Sequence, residues 1–176
     1  MDFPLLAIVV LILVVIGLIV GAAFLLGWGR RSGAAAGARA GARFTATRVE
    51  AILADLGDTL VIHAPPTVAA DVVRAVVTER GKEFHLLADG AVGIRFIEPD
   101  DTIAWLRPES TGTVLRVETF RDYLGYPQTA PLWRNLRALV TAEAAARLIE
   151  VSPGPVSVFE RGPLLDDRNA RWFRQA

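Results

Sequence analysis

Four short runs decide the fold: EFHLLAD (Glu83–Asp89), AVGIRFI (Ala91–Ile97), TIAWLR (Thr102–Arg107) and TVLRVETF (Thr113–Phe120). Phe84, Leu86 and Ala88 alternate along the first run, and Val92, Ile94 and Phe96 along the second. A period of two places each set on one face of a strand. Asp89-Gly90 between the first two runs is the sequence of a tight hairpin turn. Glu98-Pro-Asp-Asp101 and Pro108–Gly112 separate the other runs. The spacing predicts a four-stranded antiparallel meander.

On both sides of these runs the period becomes helical. Thr47-Arg-Val-Glu50 reads as a capping box, with Val49, Ile52, Leu53 and Leu56 on one stripe and Gly57 as a stop. TLVIHA (Thr59–Ala64) is a short strand ending at Pro65-Pro66. Thr67 then caps a helix to about Arg80, with Val68, Val72, Val73, Val76 and Val77 on one face. Tyr123–Gln128 reads as irregular. Beyond it, Pro131 opens a helix to about Glu150 that presents Leu132, Trp133, Leu136, Leu139, Val140, Ala144 and Leu148. Pro153-Gly-Pro155 is a break, VSVF (Val156–Phe159) a short run, and Leu164–Arg174 a last turn or helix.

The N-terminus differs in kind. Phe3–Gly29 carries no charge, and Leu5–Trp28 is apolar almost throughout. As a helix those residues would reach roughly 36 Å, enough for a hydrocarbon core of about 30 Å. No basic n-region precedes them, which argues against a cleaved signal peptide. The expected fold class is therefore α+β, with an N-terminal transmembrane helix followed by an antiparallel meander packed by helices. The boundaries are 1–28 for the anchor, 29–43 for a basic Gly/Ala/Arg linker and 44–176 for the domain.

The net charge of zero hides a division. Asp2 is the one charge before Gly29. Arg30, Arg31, Arg39, Arg43 and Arg48 follow with no acid among them, and residues 50–176 carry 14 basic and 18 acidic side chains. Arginines on one flank alone place the N-terminus outside and the domain in the cytoplasm, at the inner membrane. Trp28, Arg30, Arg31, Arg39 and Arg43 would lie at the membrane interface, where the arginines either set topology or attract anionic lipid. Gly17 and Gly21 form a GxxxG element that permits contact with another helix, with plain anchoring as the alternative. Five dispersed arginines make a poor nucleic-acid tail.

No catalytic constellation emerges. The chain has no cysteine, so neither a disulfide framework nor a thiolate site exists. His63 and His85 would need Asp58 or Glu83 beside them to hold a metal, and no ligand spacing supports that. Glu98, Asp100 and Asp101 lack EF-hand spacing and read as turn chemistry. None of the four serines, Ser32, Ser110, Ser152 and Ser157, lies in a GxSxG elbow. No cofactor, metal or catalytic residue is indicated. Arg168, Arg171 and Arg174 recur every three residues beside Trp172 and Phe173, which suits a partner groove, a membrane surface or a packed terminal helix.

The strand VIHAPPTVAADVV, the four meander runs and the helix opening PLWRNL together resemble the START-like/polyketide-cyclase (Bet v 1-like) superfamily over about Thr59–Glu150. The resemblance implies a truncated helix-grip fold around an apolar cavity, which Phe84, Phe96, Trp105, Trp133 and Leu136 would line. Trp105 and Trp133 lie on apolar faces and read as packed core before they read as cavity lining. The overall layout resembles a single-pass actinobacterial membrane accessory factor, such as the one for trehalose-monomycolate transport. The expected function is a membrane-anchored accessory or scaffold whose cytoplasmic domain binds a partner; a carrier of lipid or another apolar ligand is the alternative. The expected partners are the lipid bilayer, another membrane protein or a second copy of the chain, and an apolar ligand.

Overall fold

The meander is built around one unusually long strand. In the computed structural model, which describes residues 46–175, β5 (Gly112–Tyr123) spans 12 residues. It pairs along one edge with β4 (Thr102–Glu109), which follows β3 (Val92–Ile94) and β2 (Phe84–Leu86). Its other edge is shared. Thr113, Val114 and Leu115 pair with β1 (Leu60–Ile62), whereas Thr119–Arg121 pair with β9 (Ala170–Arg174). β7 (Val151–Pro153) lies outside β1, β8 (Phe159–Leu164) pairs with β9, and β6 (Tyr126–Pro127) folds back on the end of β5. Every pairing is antiparallel.

Helix α1 (46–57), α2 (Pro66–Glu79) and α3 (Ala130–Ala146) bury their stripes in one core. Ile52, Leu53 and Leu56 come from α1, Val72, Val73, Val76 and Val77 from α2, and Trp133, Leu136 and Val140 from α3. The sheet meets them with Leu60, Ile62, Phe84, Ile94, Ala104, Leu115, Val117 and Phe120. Trp133 is fully buried, and its indole N–H donates to the Asp58 carbonyl at 3.0 Å. A buried indole needs such a partner. Among the described residues no helix packs on the other sheet face.

The structure corrects the expected fold at several points. Among the described residues no helix is long and apolar enough to cross a membrane, so the fold described is α+β with nine strands and three helices rather than one led by a transmembrane helix. Each described helix has one apolar stripe and a wet side, which suits packing on a sheet. Leu5–Trp28, Gly17, Gly21 and the interface residues Trp28, Arg30, Arg31, Arg39 and Arg43 lie outside the described residues.

The sheet is also larger than the four-stranded meander that suggested a truncated helix grip, because β1, β7 and the β8–β9 hairpin join it. The expected terminal helix near Leu164–Arg174 is the end of that hairpin. Ala170 and Trp172 alternate with Arg171 and Phe173, so the period of two outweighs the three-residue recurrence of arginine. β7 ends on Pro153, the first residue of the Pro153-Gly-Pro155 break, and Val156–Val158 is not strand. Helix α2 begins on Pro66 with no side-chain cap, since proline at the first turn lacks only an N–H that would be orphaned anyway. Helix α3 ends at Ala146, before the expected Glu150, and Leu148 takes a left-handed backbone with φ of 59°.

Trp133 joins α3 to the loop after α1, so its truncation tests this packing. In urea unfolding of the full chain, Trp133→Ala is expected to cost about 3–5 kcal/mol. Trp133→Phe should cost about 1–2 kcal/mol by stranding the Asp58 carbonyl. An unchanged midpoint for Trp133→Ala would contradict the core placement.

Candidate interaction surface

The far end of β5 is where polar side chains and exposed apolar ones meet. Asp101 is completely buried in the turn between β3 and β4. Its Oδ2 accepts three successive backbone N–H groups, from Phe96 at 3.2 Å, Ile97 at 2.6 Å and Glu98 at 2.8 Å. Its Oδ1 accepts the Tyr123 hydroxyl at 2.5 Å. The carboxylate thus folds the loop over itself and ties it to β5. Burial, and then the bond to Asp101, push the Tyr123 phenol up to about 12.

Asp122 does the same on the other side. It is also completely buried, accepting the Ala170 N–H at 2.7 Å on Oδ1 and, on Oδ2, the Trp172 indole at 3.0 Å and Arg161 Nε at 3.1 Å. These bonds seat the β8–β9 hairpin against β5. Its turn is held by Asp166, which accepts the N–H of Arg168 and Asn169 at 2.9 Å each. Those bonds, with one from the Asn169 side chain, hold the Asp166 carboxyl below the ordinary range. Asn169 in turn accepts the Leu124 N–H at 2.9 Å, and its carbonyl accepts that of Leu165 at 2.8 Å.

Three loops are therefore locked at one pole, and they display apolar side chains outward. Phe96, Ile97, Leu124, Leu164 and Leu165 are between 48% and 65% exposed. Leu124 has a φ of 56°, a left-handed conformation that costs a leucine about 1–2 kcal/mol. The Phe96 ring lies 5.5 Å from Tyr123. These five side chains make the pole a candidate interaction surface.

The expected site residues separate. Phe84, Trp133 and Leu136 are fully buried in the packed core, while Phe96 is at the pole. Trp105 pairs with Arg116 on the helix-free sheet face, beneath the Arg107 guanidinium at 4.6 Å. The C-terminal run divides in the same way. Arg168 is in the hairpin turn and Arg171 bonds Asp100 at 3.0 Å. Trp172 stacks on Phe120 at 5.8 Å, whereas Phe173 shares the helix-free face with Thr119. Arg174 bonds Glu118 at 2.8 Å, which Arg116 also reaches at 3.0 Å. Burial opposes ionisation of Glu118, yet these bonds hold its carboxyl below the ordinary range.

The two histidines are on β2 and just after β1, strands not adjacent in the sheet. Burial, then the charge of Arg95, lower the pKa of His85. His63 donates from Nδ1 to the Thr111 carbonyl at 3.0 Å, and its Nε2 shares a hydrogen bond with the Ser152 hydroxyl at 2.8 Å. The residue after that serine is Pro153, which has no N–H for an oxyanion, and the pair ties the β4–β5 turn to β7. Among the described residues no group of three or more His, Cys, Asp or Glu side chains could hold a metal ion.

Asp122, Leu124, Leu164 and Leu165 escaped the sequence reading. The Leu124-Gly125 pair after a long alternating run was the available sign of a β-turn. No protein-family model, no curated protein and no solved structure matches this chain.

The two carboxylates can be tested by stability. Asp122→Asn should lose about 2 kcal/mol or more in urea unfolding, because its amide nitrogen would face an N–H donor in either orientation, and Asp101→Ala should lose at least as much by stranding the N–H groups of Phe96, Ile97 and Glu98. Tyr123 gives a pH test with a definite sign. Its folded value of about 12 exceeds the ordinary 10.0, so its contribution is whole below pH 10 and fades as pH rises towards 12. Ultraviolet titration should show a late phenolate transition that Tyr123→Phe removes.

Proposed function

We propose that this chain is an accessory protein, tethered at the cytoplasmic face of the inner membrane by its apolar N-terminal stretch, whose folded domain binds another membrane protein. The observation that carries this reading is the three-loop pole, where five exposed apolar side chains are held in place by two buried carboxylates. A strained Leu124 among them supports it, since such strain concentrates at functional positions. The charges nearby favour a protein partner over an anionic lipid surface. Exposed Glu98, Asp166 and Asp167 offset exposed Arg95 and Arg168, leaving no positive excess to draw the pole onto anionic headgroups. Tethering would confine the domain to the same surface as its partner and raise their effective concentration.

A photo-crosslinking residue placed at Leu124 or Leu165 of the full chain in membranes tests this. A discrete protein adduct is expected from both positions and not from Val68, exposed on α2. Predominant lipid adducts, an adduct with twice the chain mass, or equal labelling from Val68 would each overturn the reading. Leu124→Asn, whose side chain tolerates the left-handed backbone, should raise the unfolding midpoint while weakening the adduct formed from Leu165.

A further inference from the structure

Away from the pole, a groove of about 480 Å³ runs between β7 and α3. Its apolar walls are Leu60, Val151, Pro153 and Val156, and Arg137 and Thr141 enter from α3. The volume lies in the usual range for small-molecule sites, about 300–1,000 Å³. We infer that this groove binds a small carboxylic acid, with its carboxylate on Arg137 and the Val151 N–H and its apolar body on the four walls.

Arg137 is prepared for such a partner. Its side chain is 18% exposed, and its guanidinium lies 5.7 Å from the centre of the Trp133 ring. Asp58 holds both members of this stack. Its carbonyl accepts the Trp133 indole, and its carboxylate accepts one Arg137 nitrogen, Nη2, at 3.0 Å. That single bond leaves terminal N–H groups of the guanidinium unspent, while Nε is buried out of a ligand's reach. A guanidinium fixed in this way matches a carboxylate. The Thr141 hydroxyl donates to the Arg137 carbonyl and the Thr59 hydroxyl to that of Pro155, so neither competes as a donor in the groove.

The second donor follows from strand register. His63 N–H donates to the Glu150 carbonyl and Gly154 N–H to that of Thr59. These bonded pairs alternate with Ile62–Val151 and Leu60–Pro153, so Val151 turns its N–H away from β1 towards the open edge. Pro153, the next residue facing that edge, has no N–H. One donor can meet a carboxylate, but a second peptide strand could not continue its ladder past the proline. The edge therefore favours a small acid over an extended peptide.

The probe is benzoate, added to full chain carrying 5-fluorotryptophan in lipid nanodiscs, with the Trp133 fluorine resonance assigned through Trp133→Phe. Benzoate is expected to shift that resonance saturably, and benzamide, its uncharged counterpart, is not. Arg137→Gln should weaken binding by about tenfold or more, the worth of a charged hydrogen bond. Because that variant also loses the Asp58 ion pair, Val156→Trp offers a second check. It fills the groove from an exposed position and should abolish the shift with Arg137 intact. An equal response to benzamide, or undiminished benzoate binding in either variant, would overturn the proposal. So would tighter binding of a peptide through its free C-terminus, or a response to inorganic phosphate as strong as that to benzoate.

Discussion

The long strand β5 imposes the constraint on which the other elements depend. One edge is occupied by β4, and the opposite edge must be completed by two strands from distant parts of the chain. β1 arrives about fifty residues before its partner and β9 about fifty after, so neither can be supplied by a hairpin. Between them β5 bulges opposite Ile103 and Ala104, which adds twist where its partner changes. The helices gather on one face because the inward residues of both halves form a single apolar surface there.

The same constraint explains where the buried charge lies. Beyond the bulge the strand runs past the meander turns and needs other ties. Asp101 and Asp122 supply them, one gathering backbone N–H groups from the β3–β4 loop, the other gathering donors from β8 and β9. A carboxylate buried with all these donors organises a loop more firmly than apolar contact alone, because each donor would be unsatisfied without it. Rigid loops can hold leucine and phenylalanine in water, and the exposure of Phe96, Ile97, Leu124, Leu164 and Leu165 accompanies that rigidity.

Much of the fold was legible locally. The Asp89-Gly90 turn, the alternating runs and the valine stripe of α2 all express a short-range period, and each forms an element of the expected type, although β2 and β3 are three residues long and leave Ala88 and Phe96 outside the strands. Asp101 forms the turn that its Pro-Asp-Asp setting indicates, but its bond to Tyr123 spans 22 residues and has no local signature. Asp122 and Leu124 were unreadable for the same reason, since their meaning depends on a hairpin that arrives some 45 residues later. The groove around Arg137 combines the loop after α1 with β1, α3 and β7, and no spacing along the chain could assemble it.

By itself, the sequence determined the α+β character, the meander and its turns, the helix stripes and the separation of a basic segment from an acidic domain, because all of these depend on neighbours within a few residues. Only the tertiary structure decided that Trp133 would be core while Trp105 faced away from the helices. It alone decided that the last aromatic residues would be strand, and that three loops would share one pole. Those outcomes turn on which strand occupies the free edge of β5, and that choice is settled by long-range burial and hydrogen bonding rather than by local preference.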